Sequence, residues 1–264
     1  AVDQSPTYGW WFYSLDHLAA FNARTAELNR AMLLIAAIGL LMALIFAYAL
    51  SVRMFLPVKK ILYILEERSD EMILPMEHLQ RILEFIRERI PECQRVAVYG
   101  SPKSIITKTP AQLETLHTEG LGIVYMGLES GNEELLKRYN KGETAAQIVE
   151  AGLKVRRAGL TLSVTAINGM GGVEMWQPHA LDTAAALSAM KPEYIGLLTL
   201  RVYHGTPLAK WVQEGTLTQL DPLQLAAETR LLLEHIDSEG SVFRSNHASN
   251  YLVLRGTLNR DKPA

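Results

Sequence analysis

The sequence contains a single cysteine, Cys93, among its 264 residues. One cysteine excludes an intramolecular disulfide, so cysteine usage leaves the redox compartment open. It also excludes an iron–sulfur cluster held by this chain alone, because such clusters are bound by several thiolates. We interpret Cys93, which follows a predicted helix, as a semi-buried structural thiol.

Other signals of function are also missing. The net charge is −2, which is not the footprint of a nucleic-acid partner. No histidine pair has the HxxxH or HExxH spacing of a zinc site, so we expect no metal ligands. The motifs GxGxxG, GxxxxGK[ST] and GxSxG do not occur, which argues against a Rossmann, P-loop or serine-hydrolase site.

One long apolar run is present, at residues 31–52, and it has no Asp, Glu, Lys or Arg. A helix of that length spans about 33 Å, close to the roughly 30 Å hydrocarbon core of a bilayer. A fully buried core helix is the alternative, but such helices rarely run this far without a charge. Too many residues precede the run for a signal peptide. The run predicts one transmembrane helix, with the lipid bilayer as a partner.

The charges on either side of this run suggest an orientation. Arg53, Lys59 and Lys60 follow it, whereas Arg24 and Arg30 precede it. The positive-inside rule weakly favours a cytoplasmic location for the part that follows. We therefore expect a single-pass membrane protein whose C-terminal part lies in the cytoplasm.

The first 65 residues carry further local signals. Residues 8–15 predict a short aromatic strand, residues 18–30 a polar helix, and Pro57 a break or kink. This arrangement resembles the membrane segment of Gram-positive Cache-type sensors and membrane-bound AraC-like regulators. The resemblance implies a short extracytoplasmic sensor remnant at 1–30 and a juxtamembrane linker at 53–69.

From Pro75 onward, amphipathic helices alternate with short apolar strands. Repeated βα units of this kind predict an α/β fold with a parallel sheet and outer helices. The predicted helices cover 76–89, 110–119, 144–158, 178–190 and 222–236, and the predicted strands cover 95–99, 123–128, 162–167, 194–200 and 241–243.

One strand end stands out. The apolar run Ile123–Leu128 ends at Glu129, and Ser130 and Gly131 precede a helix that Asn132 could cap. Parallel α/β folds build ligand sites from such polar residues at the carboxyl ends of strands. A polar residue that merely ends a strand is an equally good interpretation of Glu129.

Glu129-Ser130-Gly131, the helix after it and Asn140-Lys141-Gly142 resemble the radical SAM superfamily. More narrowly, they resemble the branch with oxygen-independent coproporphyrinogen oxidases and Elp3-like proteins, over about residues 70–264. The resemblance implies a TIM-like partial barrel that uses S-adenosylmethionine and a [4Fe-4S] cluster. It also implies that Glu129 contacts the ribose or the amino-acid part of S-adenosylmethionine.

A second candidate segment is the glycine-rich stretch 165–174, where Gly169 and Gly171 follow a predicted strand that ends at Ile167. Glycine permits close backbone approach, although an ordinary turn would also use it. The resemblance implies that this segment packs against the adenine. The predicted cofactor-binding residues are Glu129, Ser130, Gly131, Ile167, Gly169 and Gly171.

Polar loops near the C-terminus are candidates for contact with a small-molecule substrate that the sequence does not identify. Arg201 follows the predicted strand 194–200, and Arg244, Asn246 and His247 lie in a stretch dense in polar groups. A surface loop and a structural hydrogen-bonded cap are the alternatives for these residues.

The chain departs from the radical SAM pattern in one important respect, since the CxxxCxxC loop is missing. The predicted strands match the barrel from its third strand onward, so we expect a truncated barrel with an open sheet edge. We therefore expect a radical SAM-type enzyme body that is tethered to the membrane. By itself it should bind no [4Fe-4S] cluster, and it should be inactive unless a partner chain supplies the cysteines. The alternative is a non-catalytic sensor fragment or a gene fusion joined near residues 66–70.

Overall fold

The computed structural model describes residues 2–4, 11–13, 15–67 and 70–261, with side chains in 22–49 and 70–261. The chain divides into two compact units, residues 1–67 and residues 68–264. Each unit is described by itself below.

The first unit consists of two short strands and one helix. β1 (Val2–Gln4) pairs antiparallel with β2 (Trp11–Tyr13), and α1 spans Leu15–Glu67. Of the predicted aromatic strand, residues 11–13 are in a strand, whereas residues 8–10 and 14 lie outside the described part of the chain.

Helix α1 has 53 residues and is therefore about 80 Å long. Within it, Asn22–Ala49 contains an 18-residue window with a mean hydropathy of 2.6, so by length and composition this segment could cross a membrane. The predicted break at Pro57 is wrong, because the helix continues through it, whereas the alternative, a kink, stays a prediction. A proline removes one backbone donor at a cost of about 3 kcal/mol, which many flanking helical turns can offset. The orientation of α1 stays a prediction.

The second unit is built on a six-stranded sheet in the order β3-β4-β5-β6-β7-β8. The first five strands are parallel, and the last pairs antiparallel with its neighbour. This mixed α/β sheet confirms the predicted fold, a TIM-like partial barrel. The strands are β3 (Val96–Tyr99), β4 (Leu121–Glu129), β5 (Thr161–Asn168), β6 (Tyr194–Thr199), β7 (Val242–Arg244) and β8 (Arg255–Thr257).

Eight helices accompany this sheet in the described part of the second unit. Thr109, Thr144 and Asp221 each begin a helix with a capping box that satisfies two backbone donors. The helices are α2 (Met76–Arg89), α3 (Pro102–Thr107), α4 (Pro110–Thr118), α5 (Glu133–Arg138), α6 (Ala145–Arg157), α7 (Gly172–Met190), α8 (Pro207–Gln213) and α9 (Pro222–His235). Helix α7 begins before Pro178, where the sequence predicted its start, so this proline lies inside the helix.

The two faces of the sheet differ in burial. In β5, Leu162, Val164 and Ala166 are buried in the hydrophobic core with the helices. Thr165 and Ile167 alternate with them along the strand, lie on the other face and are only half-buried. The helices therefore cover one face, and the opposite face, which we call the inner face, is left more open.

The edge of the sheet at β3 is partly covered by the chain itself. A 3₁₀ turn at Glu71–Ile73 lies beside the strand, and Met72 is fully buried. The backbone N–H of Tyr99 donates to Glu71 Oε2 at 2.6 Å, and that of Ser101 donates to Asp70 Oδ1 at 3.2 Å. The expected open edge is therefore closed at the carboxyl end of β3.

Cys93 lies in the loop between α2 and β3 and is exposed, so the prediction that it is semi-buried is wrong. Its Sγ atom is 3.5 Å from the carbonyl oxygen of Arg95. The loop lies at the amino end of β3, so this thiol is at the opposite end of the strand from the predicted ligand residues.

Candidate functional site

The predicted site residues meet at one edge of the sheet. Because β3 to β7 are parallel, their carboxyl ends share that edge. Glu129 ends β4, Ile167 lies next to the end of β5, Arg201 follows β6 and Arg244 ends β7. This edge is where α/β folds commonly place ligands.

A cleft of about 290 Å³ lies at the ends of β3 and β4. Its volume is close to the lower end of small-molecule pockets, which begin at roughly 300 Å³. Aromatic, acidic and basic side chains surround the cleft, and glycine residues expose their backbone to it. Its lining includes Gly127 and the polar and aromatic side chains of Tyr99, Ser101, Tyr125, Glu129, Lys141 and Glu143.

The inner face of β4 presents three different groups in a row. Tyr125, Gly127 and Glu129 are spaced two residues apart and so lie on the same face. The Tyr125 ring packs against Tyr99 with centroids 5.4 Å apart. A Cβ atom on Gly127 would lie 3.3 Å from Glu129 Oε1, so this carboxylate folds back over the glycine. Along β4 the inner face therefore presents an aromatic ring at Tyr125, no side chain at Gly127 and a carboxylate at Glu129.

Glu129 has an unusual backbone conformation, with a φ of 60°. Left-handed geometry is uncommon for residues other than glycine and clusters at functional sites. Its register with β5 shifts at the same place. The Oε2 atom forms an ion pair with Lys141 but no hydrogen bond of ordinary geometry. This ion pair accounts for the lysine of the Asn140-Lys141-Gly142 motif, which sequence reasoning left without a role.

Ser130 and Gly131 lie behind the cleft and do not line it. Both are buried against α7. Ser130 Oγ is 2.9 Å from His179 Nδ1, and the Gly131 N–H donates to Thr183 Oγ1 at 3.0 Å. A Cβ atom on Gly131 would lie 2.2 Å from the Asp182 carbonyl oxygen, which explains the glycine. These two residues fix the turn that carries the strand-end carboxylate.

The turn after β5 is adjacent to this site but lies outside the lining of the cleft. Gly169 has a φ of 86°, and its N–H donates to Glu228 Oε2 at 2.7 Å. The Ile167 carbonyl lies 2.9 Å from His179 Nε2. A Cβ atom on Gly171 would lie 2.6 Å from the backbone oxygen of Met175, so α7 begins in close contact with this glycine.

The predicted substrate residues lie further along the same edge. Arg201 Nη2 donates to the Ser249 carbonyl at 2.9 Å, and its guanidinium lies 5.6 Å from the Tyr251 ring centroid. Arg244 and Asn246 are exposed. Arg201 is thus engaged by the chain, whereas the side chains of Arg244 and Asn246 are accessible to a ligand.

A hydrogen-bonded network fastens the loop at 245–250 to the end of β6. His247 Nδ1 is 2.8 Å from Ser249 Oγ, which in turn accepts from the Thr199 N–H at 3.1 Å. Asn250 Nδ2 donates to the Leu197 carbonyl at 2.7 Å. The polar density of the sequence therefore has a structural role in holding this loop, and substrate contact by His247 stays a prediction.

The residues present do not fit a [4Fe-4S] cluster. The chain has one cysteine, which is exposed at the other end of β3. Among the described residues, no group of three or more His, Cys, Asp or Glu side chains could hold a metal ion. Cluster binding normally needs several thiolates on neighbouring backbone.

Sequence comparison identifies the domain. Residues 74–184 match the profile of the radical SAM superfamily. These residues belong to that superfamily. The predicted relationship is thereby confirmed, whereas the resemblance of residues 1–65 to Cache-type sensors stays a prediction. No curated protein matches the sequence.

One solved structure, that of an archaeal Elp3, supports the same fold. The archaeal Elp3 of Methanocaldococcus infernus aligns with a TM-score of 0.53 and 15% identity, over 67% of this chain and 46% of Elp3. Coproporphyrinogen III oxidase of Escherichia coli aligns with a TM-score of 0.48 and 16% identity, over 62% of this chain and 38% of that enzyme. The chain therefore spans less than half the length of these two proteins.

Sequence reasoning missed three groups of residues at this site. The first is Tyr125, for which alternation along the predicted strand was an available signal. The second is Lys141, which lay within a motif already singled out. The third comprises His179 and Glu228, whose contacts join distant parts of the chain and leave no local pattern.

Proposed function

We propose that this chain binds S-adenosylmethionine at the carboxyl ends of β4 and β5. The observation that carries the proposal is the inner face of β4, where the Glu129 carboxylate lies over Gly127 beside the tyrosine pair. Membership in the radical SAM superfamily supports the choice of ligand. The activity and substrate of a complete radical SAM protein are not part of the proposal.

The carboxylate of Glu129 suits the ribose of this ligand. A ribose diol offers two O–H donors, and an ionised carboxylate is purely an acceptor with two oxygens. Hydrogen bonds to a charged acceptor are roughly twice as strong as neutral ones. Lys141 already pairs with this carboxylate, and one carboxylate can accept from both the ammonium and the diol.

The tyrosine pair suits the sulfonium of this ligand. A cation near an aromatic face is attracted by the ring quadrupole, by about 0.5–2 kcal/mol. Tyr99 and Tyr125 line the cleft, and the Glu143 carboxylate adds negative charge there. With the ribose at Glu129, the adenine then extends toward the Gly169 turn, as the family resemblance implies.

Replacing Glu129 with Gln is expected to raise the Kd for S-adenosylmethionine by about 10- to 100-fold, because a hydrogen bond to a charged group contributes about 1.5–3 kcal/mol. The measurement is isothermal titration calorimetry on the full chain in non-ionic detergent. S-adenosylhomocysteine, which keeps the ribose but lacks the sulfonium charge, should bind about 2- to 30-fold more weakly than S-adenosylmethionine.

The matched control is Glu134→Gln, which makes the same change in charge at an exposed position on α5 outside the cleft. Its Kd should equal that of the unsubstituted protein. Equal affinities for both variants would place the ligand elsewhere, and no binding by the unsubstituted chain would refute the proposed function.

We further propose that this chain alone does not cleave S-adenosylmethionine. In the family, a reduced [4Fe-4S] cluster supplies that chemistry, and the residues here do not fit such a cluster. A partner that brings the missing cysteines is a route by which the body could become an enzyme.

Anaerobic reconstitution with iron and sulfide is expected to leave fewer than about one iron per chain, because one thiolate cannot hold a four-iron cluster. The measurement is iron and acid-labile sulfide content after desalting. The Cys93→Ser variant should bind the same background amount. Four irons and four sulfides per chain would contradict the prediction.

Helix α1 supports a membrane tether as part of the proposal. Its segment Asn22–Ala49 has the length and composition of a membrane span. The positive charges after the apolar run favour placing the C-terminal body in the cytoplasm.

A second candidate is a non-catalytic membrane module that binds no S-adenosylmethionine. The observation that favours it is the division of the chain into two units between Glu67 and Arg68, where the sequence also changes character. The calorimetric titration separates the two candidates, because only the first predicts binding.

A further inference from the structure

Two buried ionisable side chains lie directly behind the candidate site. His179 on α7 is 2% exposed, and Glu228 on α9 is 0% exposed. Neither lines the cleft. Burial of an ionisable group is costly unless the group is hydrogen-bonded or neutral. The contacts of these two side chains therefore show what they hold in place.

His179 joins the turn after β4 to the end of β5. Its Nε2 atom is 2.9 Å from the Ile167 carbonyl oxygen, which can only accept, so Nε2 carries the proton. Its Nδ1 atom is then the acceptor for the Ser130 hydroxyl at 2.9 Å. Burial lowers the pKa of His179, which agrees with this neutral tautomer.

Thr183, one turn further along α7, adds a second contact to the turn after β4. Its Oγ1 atom accepts from the Gly131 N–H at 3.0 Å. The same Oγ1 atom is 3.3 Å from His179 Nδ1. Two side chains of α7 thus hold the backbone that follows Glu129.

Helix α9 holds the end of β5 in a similar way. Glu228 Oε2 accepts from the Gly169 N–H at 2.7 Å, and Thr229 Oγ1 accepts from Asn168 Nδ2 at 2.5 Å. No hydrogen-bond partner for Glu228 Oε1 lies among the residues that the structure describes, and this atom is 3.9 Å from His179 Nε2. Burial raises the pKa of Glu228 to about 8, so the group is a neutral carboxyl at pH 7.

We propose that His179 and Glu228 are positioning residues that set the spacing between the backbone turns 129–131 and 167–169. The inference rests on the proposed function, in which one ligand spans both turns. Its ribose meets the first turn and its adenine meets the second. A binding constellation needs its backbone held within about 0.5 Å by buried supporting contacts, and these two helices supply them.

The test compares Glu228→Gln with Glu228→Leu in the full chain in non-ionic detergent. Glutamine is neutral and keeps an oxygen for the Gly169 N–H, whereas leucine fills the space without an acceptor. We expect the Kd for S-adenosylmethionine to stay within about threefold for glutamine and to rise at least about 10-fold for leucine.

Hydrogen exchange measured by mass spectrometry separates positioning from general stability. In Glu228→Leu, peptides that cover 167–172 should exchange faster, whereas peptides from α6 (Ala145–Arg157) should not change. His179→Phe, which keeps a ring but removes both hydrogen bonds, should speed exchange at 129–131 and 167–169. If Glu228→Leu does not fold, the hydrogen exchange of His179→Phe tests the inference instead.

The outcomes are distinguishable. A folded leucine variant with unchanged affinity and unchanged exchange would overturn the inference, and so would faster exchange spread evenly over the body. If the unsubstituted chain does not bind S-adenosylmethionine, the proposed function fails. Faster exchange confined to the two turns would then still support their positioning by these residues.

Discussion

Raising the pH from about 6.5 to about 8.5 is expected to lower the free energy of unfolding of the C-terminal unit by about 2 kcal/mol. The cause is Glu228, whose burial raises its pKa from 4.5 to about 8. Between these values the folded state keeps a proton that the unfolded state releases. The stabilisation is complete below the ordinary pKa and is lost as the pH rises through 8.

Among the described residues, no other group with a shifted pKa lowers the free energy of unfolding as the pH rises through this window. The lowered pKa of His179 acts in the opposite direction, because its contribution is lost as the pH falls below the ordinary value of 6.5. The pKa of Asp261 is lowered to about 2 and that of Tyr139 is raised to about 12, so both titrate outside the window.

The measurement is urea unfolding of the full chain at several pH values, followed by tryptophan fluorescence, to which Trp176 and Trp211 of the C-terminal unit contribute. The matched control is Glu228→Gln, which cannot ionise and should show a much flatter dependence. An equal slope in the two proteins would mean that another group is responsible.

Replacing Gly131 with Ala is expected to destabilise the C-terminal unit by about 3 kcal/mol or to prevent its folding, because inserting atoms into a packed region forces the backbone apart. The new Cβ atom would lie 2.2 Å from the Asp182 carbonyl oxygen. The glycine cannot move away freely, because its N–H is bonded to Thr183. Urea unfolding measures the loss.

Gly196→Ala is the control for this change, because its Cβ atom would meet nothing closer than 3.9 Å. It should change the free energy of unfolding by no more than about 0.5 kcal/mol. Similar stabilities for the two alanine variants would contradict the tight packing of the turn after β4 against α7.

The alternation of helices and strands could be predicted because it depends on local pattern. Apolar runs such as Ile123–Leu128 and capping residues such as Thr144 specify their elements from neighbouring residues. Two boundaries were wrong for one shared reason, since Pro57 and Pro178 lie inside helices instead of ending or beginning them. The strand β8 (Arg255–Thr257) was missed because its residues form no apolar run.

The candidate site could be predicted only in part. The parallel order of strands brings their carboxyl ends together, so the location of Glu129, Ile167 and Arg201 at one edge followed from the sequence. Their individual roles did not follow. Ser130 and Gly131 turned out to be buried supports, because the packing of α7 places His179 and Thr183 against them.

The sequence by itself determined the α/β class, the superfamily, the apolar helix and the lack of cluster thiolates, because each depends on composition or on residues close together in the chain. Only the tertiary structure decided the pairing of Glu129 with Lys141, the covered edge of β3 and the buried contacts of His179 and Glu228. The hydrogen bond between Gly169 and Glu228 joins residues 59 positions apart. Such contacts depend on how helices pack on the sheet, which no local pattern encodes.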